Sequence, residues 1–276
     1  MADFIPREEI LAKLRSRAES GCALLAFGAG SGLSARSAEA GGADYISIYT
    51  AAARRMEGLP SLLAWLPYGD VNEEMRALGR KILPLVNHTP CVAGLGVHDP
   101  RISIPALVNE FICMGFSGVS NEPFCSTYGA EMRALLDRAG MGTARELALI
   151  RCARERNVFS AAWAADAAEA EAFAEAGADV VGLLAGFPRE AGESAADHFD
   201  RVLRLLRGMT EAVRRASPEA LVLVHGGVLD TPEAVEKALR ATGADGCATG
   251  SGGERIPAET AIRSIAEQYR GLKTNG

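Results

Sequence analysis

A chain of 276 residues with 48% apolar and 23% charged content has the composition of a globular enzyme with a full core. Its formal net charge of −6 and the lack of any basic run argue against nucleic acid as the main partner. No window reaches the roughly 18 apolar residues of a spanning helix, Met1–Arg7 lacks the charged-then-apolar order of a signal peptide, and the six cysteines form no C-x-x-C pair, so a cytoplasmic protein without membrane attachment is expected.

Pro6 to Glu19 reads as an amphipathic helix, with Ile10, Leu11 and Leu14 on one side and Gly21 past its end. Cys22 to Phe27 is a continuous apolar run bounded by glycine, the pattern of a buried parallel strand. Its exit loop, Gly28 to Ala35, leads into a helix to about Glu39, and strand two follows at Tyr45 to Tyr49. Thr50 to Gly69 reads as a long connection, of a length that usually serves as a lid or binding loop. Asp70 with Glu73 opens a helix from Val71 to about Leu83. Strand three is Cys91 to Leu95, and Ser103 caps a helix through Met114.

Strand four, Phe116 to Ser120, precedes a helical region from Glu131 to Glu155 that breaks at Gly140 to Gly142, where Thr143 and Glu146 spell another capping box. Strand five is Val158 to Trp163, and Asp166 with Glu169 opens the next helix. Strand six, Val180 to Leu184, is followed by a loop and a helix from Ser194 to Ala216. Strand seven, from Leu221, runs into His225-Gly226-Gly227, after which Thr231 caps a helix with Pro232 at its first position. Strand eight starts at Gly246, and a helix from Pro257 to Tyr269 closes the chain. Cys22, Cys91 and Cys247 fall in strand-like runs, where a free cysteine is usually a small buried hydrophobe. Near-repeats ending in Gly-Ala-Asp at Asp44, Asp179 and Asp245 mark equivalent αβ turns.

Eight strand–helix units in this length, with no composition break, predict the α/β class and a single (β/α)8 TIM barrel over residues 1–276 with one extra N-terminal helix. Barrels hold their reacting groups at the C-terminal ends of the strands, which yields a short list of candidates. His225, directly after an apolar strand, suits a general acid/base or a donor to an anion. The backbones of Ser31, Gly32, Gly226, Gly227, Gly250 and Ser251 offer N–H groups at helix starts, the arrangement that holds a phosphate or carboxylate, although tight turns need glycine for backbone reasons alone. Arg55 suits an anion clamp or a solvated loop charge. Asp99 and Glu122 are the candidate ligands for Mg²⁺, which takes one or two carboxylates and several waters, while Asp99 before Pro100 also suits a turn. Lys13, Lys81, Lys237 and Lys273 all read as helical or terminal, so Schiff-base chemistry is not expected.

Gly30-Ser31-Gly32-Leu33-Ser34-Ala35 resembles the first βα unit of the isocitrate lyase/phosphoenolpyruvate mutase superfamily, as does Gly118-Val119-Ser120-Asn121-Glu122 at strand four. Leu66-Pro67-Tyr68-Gly69-Asp70, His225-Gly226-Gly227 and Gly250-Ser251-Gly252-Gly253-Glu254-Arg255-Ile256-Pro257 are similar to the phosphoenolpyruvate hydrolase-like, or TIM-barrel signal-transduction, family. The resemblance implies a phosphonopyruvate- or phosphoenolpyruvate-type substrate, Mg²⁺ and association through outer helices into a homo-oligomer. The chain departs from the wider group at Val97-His98-Asp99, which replaces Asp-x-Asp, and at Glu122-Pro123-Phe124, which replaces Glu-Asp-Lys. Thr50-Ala51-Ala52-Ala53 stands where the closer family has an Asn-Ser-Gly-Arg type turn. The expected activity is hydrolysis of phosphonopyruvate. Its carboxylate would lie on Ser31 and Gly32, with the phosphorus group over Gly226, Gly227 and Ser251. A retro-aldol or Claisen-type lyase on a small acid, or a non-catalytic metabolite-binding module, stands as the alternative.

Overall fold

The computed structural model describes residues 4–274; the ends of the expected 1–276 domain and the first residues of the signal-peptide reading lie outside them. Helix α1, Arg7–Glu19, comes first. There follow β1 Leu24–Ala29, α2 Gly32–Ala40, β2 Tyr45–Ile48, α3 Thr50–Met56, α4 Val71–Ile82, β3 Cys91–Gly94, α5 Ile104–Cys113 and β4 Gly118–Ser120. The second half holds α6 Gly129–Arg138, α7 Thr143–Glu155, β5 Phe159–Ala164, α8 Ala167–Glu175, β6 Val180–Leu184 and α9 Ala195–Ala216. The chain ends with β7 Leu221–His225, α10 Pro232–Thr242, β8 Gly246–Ala248 and α11 Arg255–Arg270. The strands pair in parallel in chain order and close a barrel, with β8 joined to β1 through Leu24↔Gly246 and Ala26↔Ala248. This is the (β/α)8 barrel with its extra N-terminal helix.

Strands such as β2, β3 and β5 are buried on both faces because helices cover them outside and side chains fill them inside, whereas Leu25 on β1 and Cys247 on β8 are half-buried. Leu24, Ala26, Tyr45, Phe159 and Leu223 belong to the inner core, where Tyr45 meets Phe159 edge-on at 5.6 Å. Helix α1 packs Ile10, Leu11 and Leu14 into the same core. It reaches the N-terminal end of the barrel, where Ile5 N–H donates to Ser117 Oγ and Arg7 pairs with Asp179 at 2.6 Å. That end is plugged, and the opposite end is left for a site. The Gly-Ala-Asp turns fasten their neighbours: Asp44 accepts from Leu25 N–H, Asp179 from Ser160 N–H and Asp245 from Val222 N–H.

Four local readings change. Thr50 to Gly69 is structured as α3 and a 3-10 turn at Ser61–Trp65, because three alanines in a row favour helix and bury closely. Ser103 precedes α5 without a side-chain cap bond. Thr143 is the first residue of α7 rather than its cap, and Glu146 turns inward and is buried. Cys22 lies before β1 and is exposed, whereas Cys91 is buried. The caps at Asp166, Ser194 and Thr231 form as expected. No helix among the described residues is long and apolar enough to cross a membrane.

Candidate active site

A cavity of about 720 Å³ opens where the strands end, bordered by Tyr49, Arg55, Glu122, Trp163 and His225 and by the glycine turns after β7 and β8. Trp65, Phe124 and Leu229 supply much of its apolar wall. The 3-10 turn that replaced the expected loop carries Trp65, whose Nε1–H donates to the Phe124 carbonyl at 2.9 Å and locks the wall together.

Arg55 is 6% exposed, which is rare for a cation and requires partners. One guanidinium NH₂ donates to the Tyr49 hydroxyl at 2.9 Å, and the group lies 5.3 Å from the centre of that ring. Its Nε–H has no partner, and Glu254 Oε2, itself without a hydrogen bond, stands 3.7 Å from the same NH₂ that donates to Tyr49. Glu254 Oε1 is fully used, accepting from Gly30 N–H at 2.7 Å and Ser34 Oγ at 2.6 Å. Glu254 therefore ties the loop after β1 to the loop after β8 and stands beside Arg55. The buried guanidinium keeps unused hydrogen-bonding capacity.

His225 Nδ1 lies 2.9 Å from the Ala248 carbonyl. A carbonyl only accepts, so Nδ1 carries the hydrogen and Nε2 of the neutral ring keeps a lone pair. A methyl at Gly250 would sit 3.6 Å from Nε2, which places this nitrogen beside the glycine turn. Burial lowers the His225 pKa; the bond to Ala248 opposes that shift and the Arg55 charge adds to it. Glu122 is buried, and loss of solvent pushes its carboxyl up to about 8 against the pull of Arg55. Near neutral pH the cavity therefore pairs an uncharged base, His225, with an uncharged acid, Glu122. Trp163 Nε1–H is buried without a partner, and its ring is 5.1 Å from His225.

Gly226 and Gly227 adopt φ of 74° and 58°, and a Cβ at Gly227 would come within 1.8 Å of the Ala185 carbonyl. Only glycine fits there. Among the described residues, the N–H groups of Gly226, Gly227, Gly250, Ser251 and Gly252 donate to no other group of the chain. They are available to an anion.

Of the residues expected from sequence, Arg55, Glu122, His225, Gly226, Gly227, Gly250 and Ser251 meet at this cavity; Ser31, Gly32 and Asp99 do not border it. Ser31 Oγ is spent capping α2, where it accepts from Ser34 N–H, and Gly32 packs against Leu85. Asp99 turns back on its own loop: Arg101 N–H and guanidinium bind its carboxylate at 2.6 to 3.0 Å and hold its pKa down near 2. Trp65 and Phe124 were not among the expected residues; two aromatics flanking long loops were the available signal. Glu146 was another, hidden behind a capping pattern.

The residues present do not fit Mg²⁺ in this cavity. The ion usually takes one or two carboxylates with several waters, but the Glu122 carboxyl lies buried next to the Arg55 charge, and Asp99 is paired with Arg101 outside the cavity. Among the described residues, the ligand-type atoms of His98, Cys125 and Glu146 gather within 4.8 Å. Glu146 is already saturated there, with Oε1 accepting from Cys125 N–H at 2.8 Å and facing His98 Nε2 at 3.0 Å, and Oε2 accepting from Asn121.

The barrel resembles the crystal structure of 2,3-dimethylmalate lyase, with TM-score 0.61 and 18% identity, covering 96% of this chain and 91% of that one. It also resembles phosphonopyruvate hydrolase in complex with oxalate and Mg²⁺, with TM-score 0.57 and 17% identity over 95% of this chain and 87% of that one. The ToMV resistance protein Tm-1(GCR237) of Solanum lycopersicum is 32% identical over 269 residues, 96% of this chain and 36% of that protein. The chain spans 35% to 44% of the lengths of the curated relatives it matches. A family model described as phosphoenolpyruvate hydrolase-like matches residues 9–272, and the chain belongs to that family.

Proposed function

We propose that this protein is an enzyme that hydrolyses the carbon–phosphorus bond of phosphonopyruvate or a close relative. One observation carries the reading: a half-satisfied buried guanidinium and unpaired glycine N–H groups border the same cavity as a neutral acid and a neutral base. The substrate carboxylate pairs with Arg55, and the phosphorus group takes the N–H groups of Gly226, Gly227, Gly250 and Ser251. Water attacks phosphorus while its proton passes to His225 Nε2. The P–C bond breaks, and its electron pair remains on the organic fragment as the enolate of pyruvate. Glu122 then protonates the methylene carbon, and solvent returns the proton from His225 to Glu122. Water and phosphonopyruvate become pyruvate and phosphate. Incubating the pure protein with phosphonopyruvate should release the two products in equal amounts; no phosphate above the uncatalysed rate sinks the reading.

The apolar wall of Trp65, Phe124 and Leu229 favours a second reading, a retro-aldol or Claisen-type lyase whose substrate carries an alkyl or acyl group there. A 2-oxo acid product without phosphate release marks that outcome.

A second copy of the chain is the partner proposed for α11. This helix has no buried residue, and Ile262, Ile265 and Tyr269 are 66%, 47% and 69% exposed. Barrel order puts the helix after β8 over β8 and β1, yet Leu25 and Cys247 there remain only half-buried and open onto the cavity. An apolar face without a cover and a sheet face without its helix complement each other between two copies. Sedimentation velocity should report a dimer or larger assembly, and Ile262→Asp with Ile265→Asp should weaken self-association at least ~100-fold. A wild-type monomer at micromolar concentration rules this out.

A further inference from the structure

We propose that the Arg55 guanidinium is the fixed positive charge of this site and that ligand binding needs no divalent cation. The inference rests on the cavity binding a small 2-oxo acid or its enolate, and it goes further by naming what neutralises that anion. Three observations carry it. Arg55 is nearly enclosed, is anchored at one nitrogen by Tyr49, and retains an unpartnered Nε–H. A planar dianion with two adjacent oxygens matches the planar guanidinium where it borders the cavity better than it matches a point charge.

Second, the counter-charge is arranged to leave the guanidinium available. Glu254 Oε2 approaches to 3.7 Å without a hydrogen bond, while Oε1 is held by Gly30 and Ser34. Glu254 thus offsets part of the cost of burying Arg55 while its Oε1 stays with Gly30 and Ser34. Third, a dication would have to sit beside this guanidinium, whose nearest carboxylate, Glu254, is already its counter-charge, while Asp99 is bound by Arg101 outside the cavity. Like charges at close range inside a protein repel strongly.

The probe is oxalate, a flat dianion shaped like the enolate of pyruvate, titrated calorimetrically into the full chain with EDTA and again with excess Mg²⁺. The two dissociation constants should agree within about threefold, and Arg55→Met should weaken binding ~100-fold with Arg55→Lys in between. Asp99→Ala should leave both constants unchanged. Oxalate that binds at least tenfold tighter with Mg²⁺ overturns the proposal, and so does an absence of binding in both buffers. The comparison on wild-type protein needs no variant, so a misfolded Arg55→Met does not protect the idea. Oxalate bound without Mg²⁺ by a protein that leaves phosphonopyruvate intact upholds this inference and defeats the proposed activity. Turnover that appears only with Mg²⁺ does the reverse.

Discussion

His225→Gln should lower kcat for phosphate release about 10³-fold, within the span of losing a positioned proton carrier, while oxalate binding stays within about threefold. The amide occupies similar space but cannot take a proton, so the reacting step suffers and the anion-holding groups do not. A fall of less than tenfold would remove His225 from the mechanism. The pH profile gives an independent reading. His225 must be neutral to act as base, and burial lowers its pKa below the ordinary 6.5, so the rate falls only at lower pH as the ring gains its proton. Glu122 must carry its proton to act as acid, and its carboxyl is pushed up to about 8, so the rate falls again as pH rises through that value. The expected kcat/KM curve is a bell with one limb below 6.5 and the other near 8. His225→Gln should remove the acid limb, and Glu122→Gln the alkaline one. An acid limb that persists in His225→Gln would assign it to another group.

Positioning rather than residue type explains where sequence reading succeeded. Apolar runs flanked by glycine or by Gly-Ala-Asp turns identify the strands because most strand residues are buried and each turn repeats one hydrogen bond. The count of eight then follows, and with it the end of the barrel where Glu122 and His225 emerge. Side-chain direction in the loops does not follow. Asp99 occupies the position expected of a metal-binding carboxylate, yet Arg101 two residues on folds the loop around it. Ser31 stands in a phosphate-like glycine loop but is spent on its own helix. Arg55 suits either an anion clamp or a solvated loop charge by sequence, and its burial on α3 at the cavity favours the first. The exposed face of α11 was also illegible: Ile262, Ile265 and Tyr269 repeat as in any barrel helix, and the pattern does not say whose barrel they cover.

Glu146→Ala should cost about 3 kcal/mol or more of folding stability, from at least two buried donors left unpaired at roughly 1–3 kcal/mol each. The pair Thr143 and Glu146 reads as a capping box, but the Glu146 carboxylate points away from the start of its helix and is 2% exposed. It receives Cys125 N–H and Asn121 Nδ2–H and faces His98, which joins α7 to the loops after β3 and β4. Asn121 in turn accepts from Trp163 N–H at 2.7 Å, so the chain of bonds runs on to the β5 residue packed against His225. Because Asn121 is held in that orientation, Glu146→Gln would set an amide NH₂ against a second NH₂, and should lose roughly half as much stability as the alanine variant. Urea unfolding of the three proteins separates the cases: a loss under about 1 kcal/mol for Glu146→Ala would mean that water replaces the carboxylate at little cost. The expected order, wild type above Gln above Ala, would place the rigidity of the cavity floor in a residue outside the cavity. Glu122 and Phe124 lie on the loop that Glu146 holds, so the acid and part of the apolar wall depend on a bond that no substrate touches.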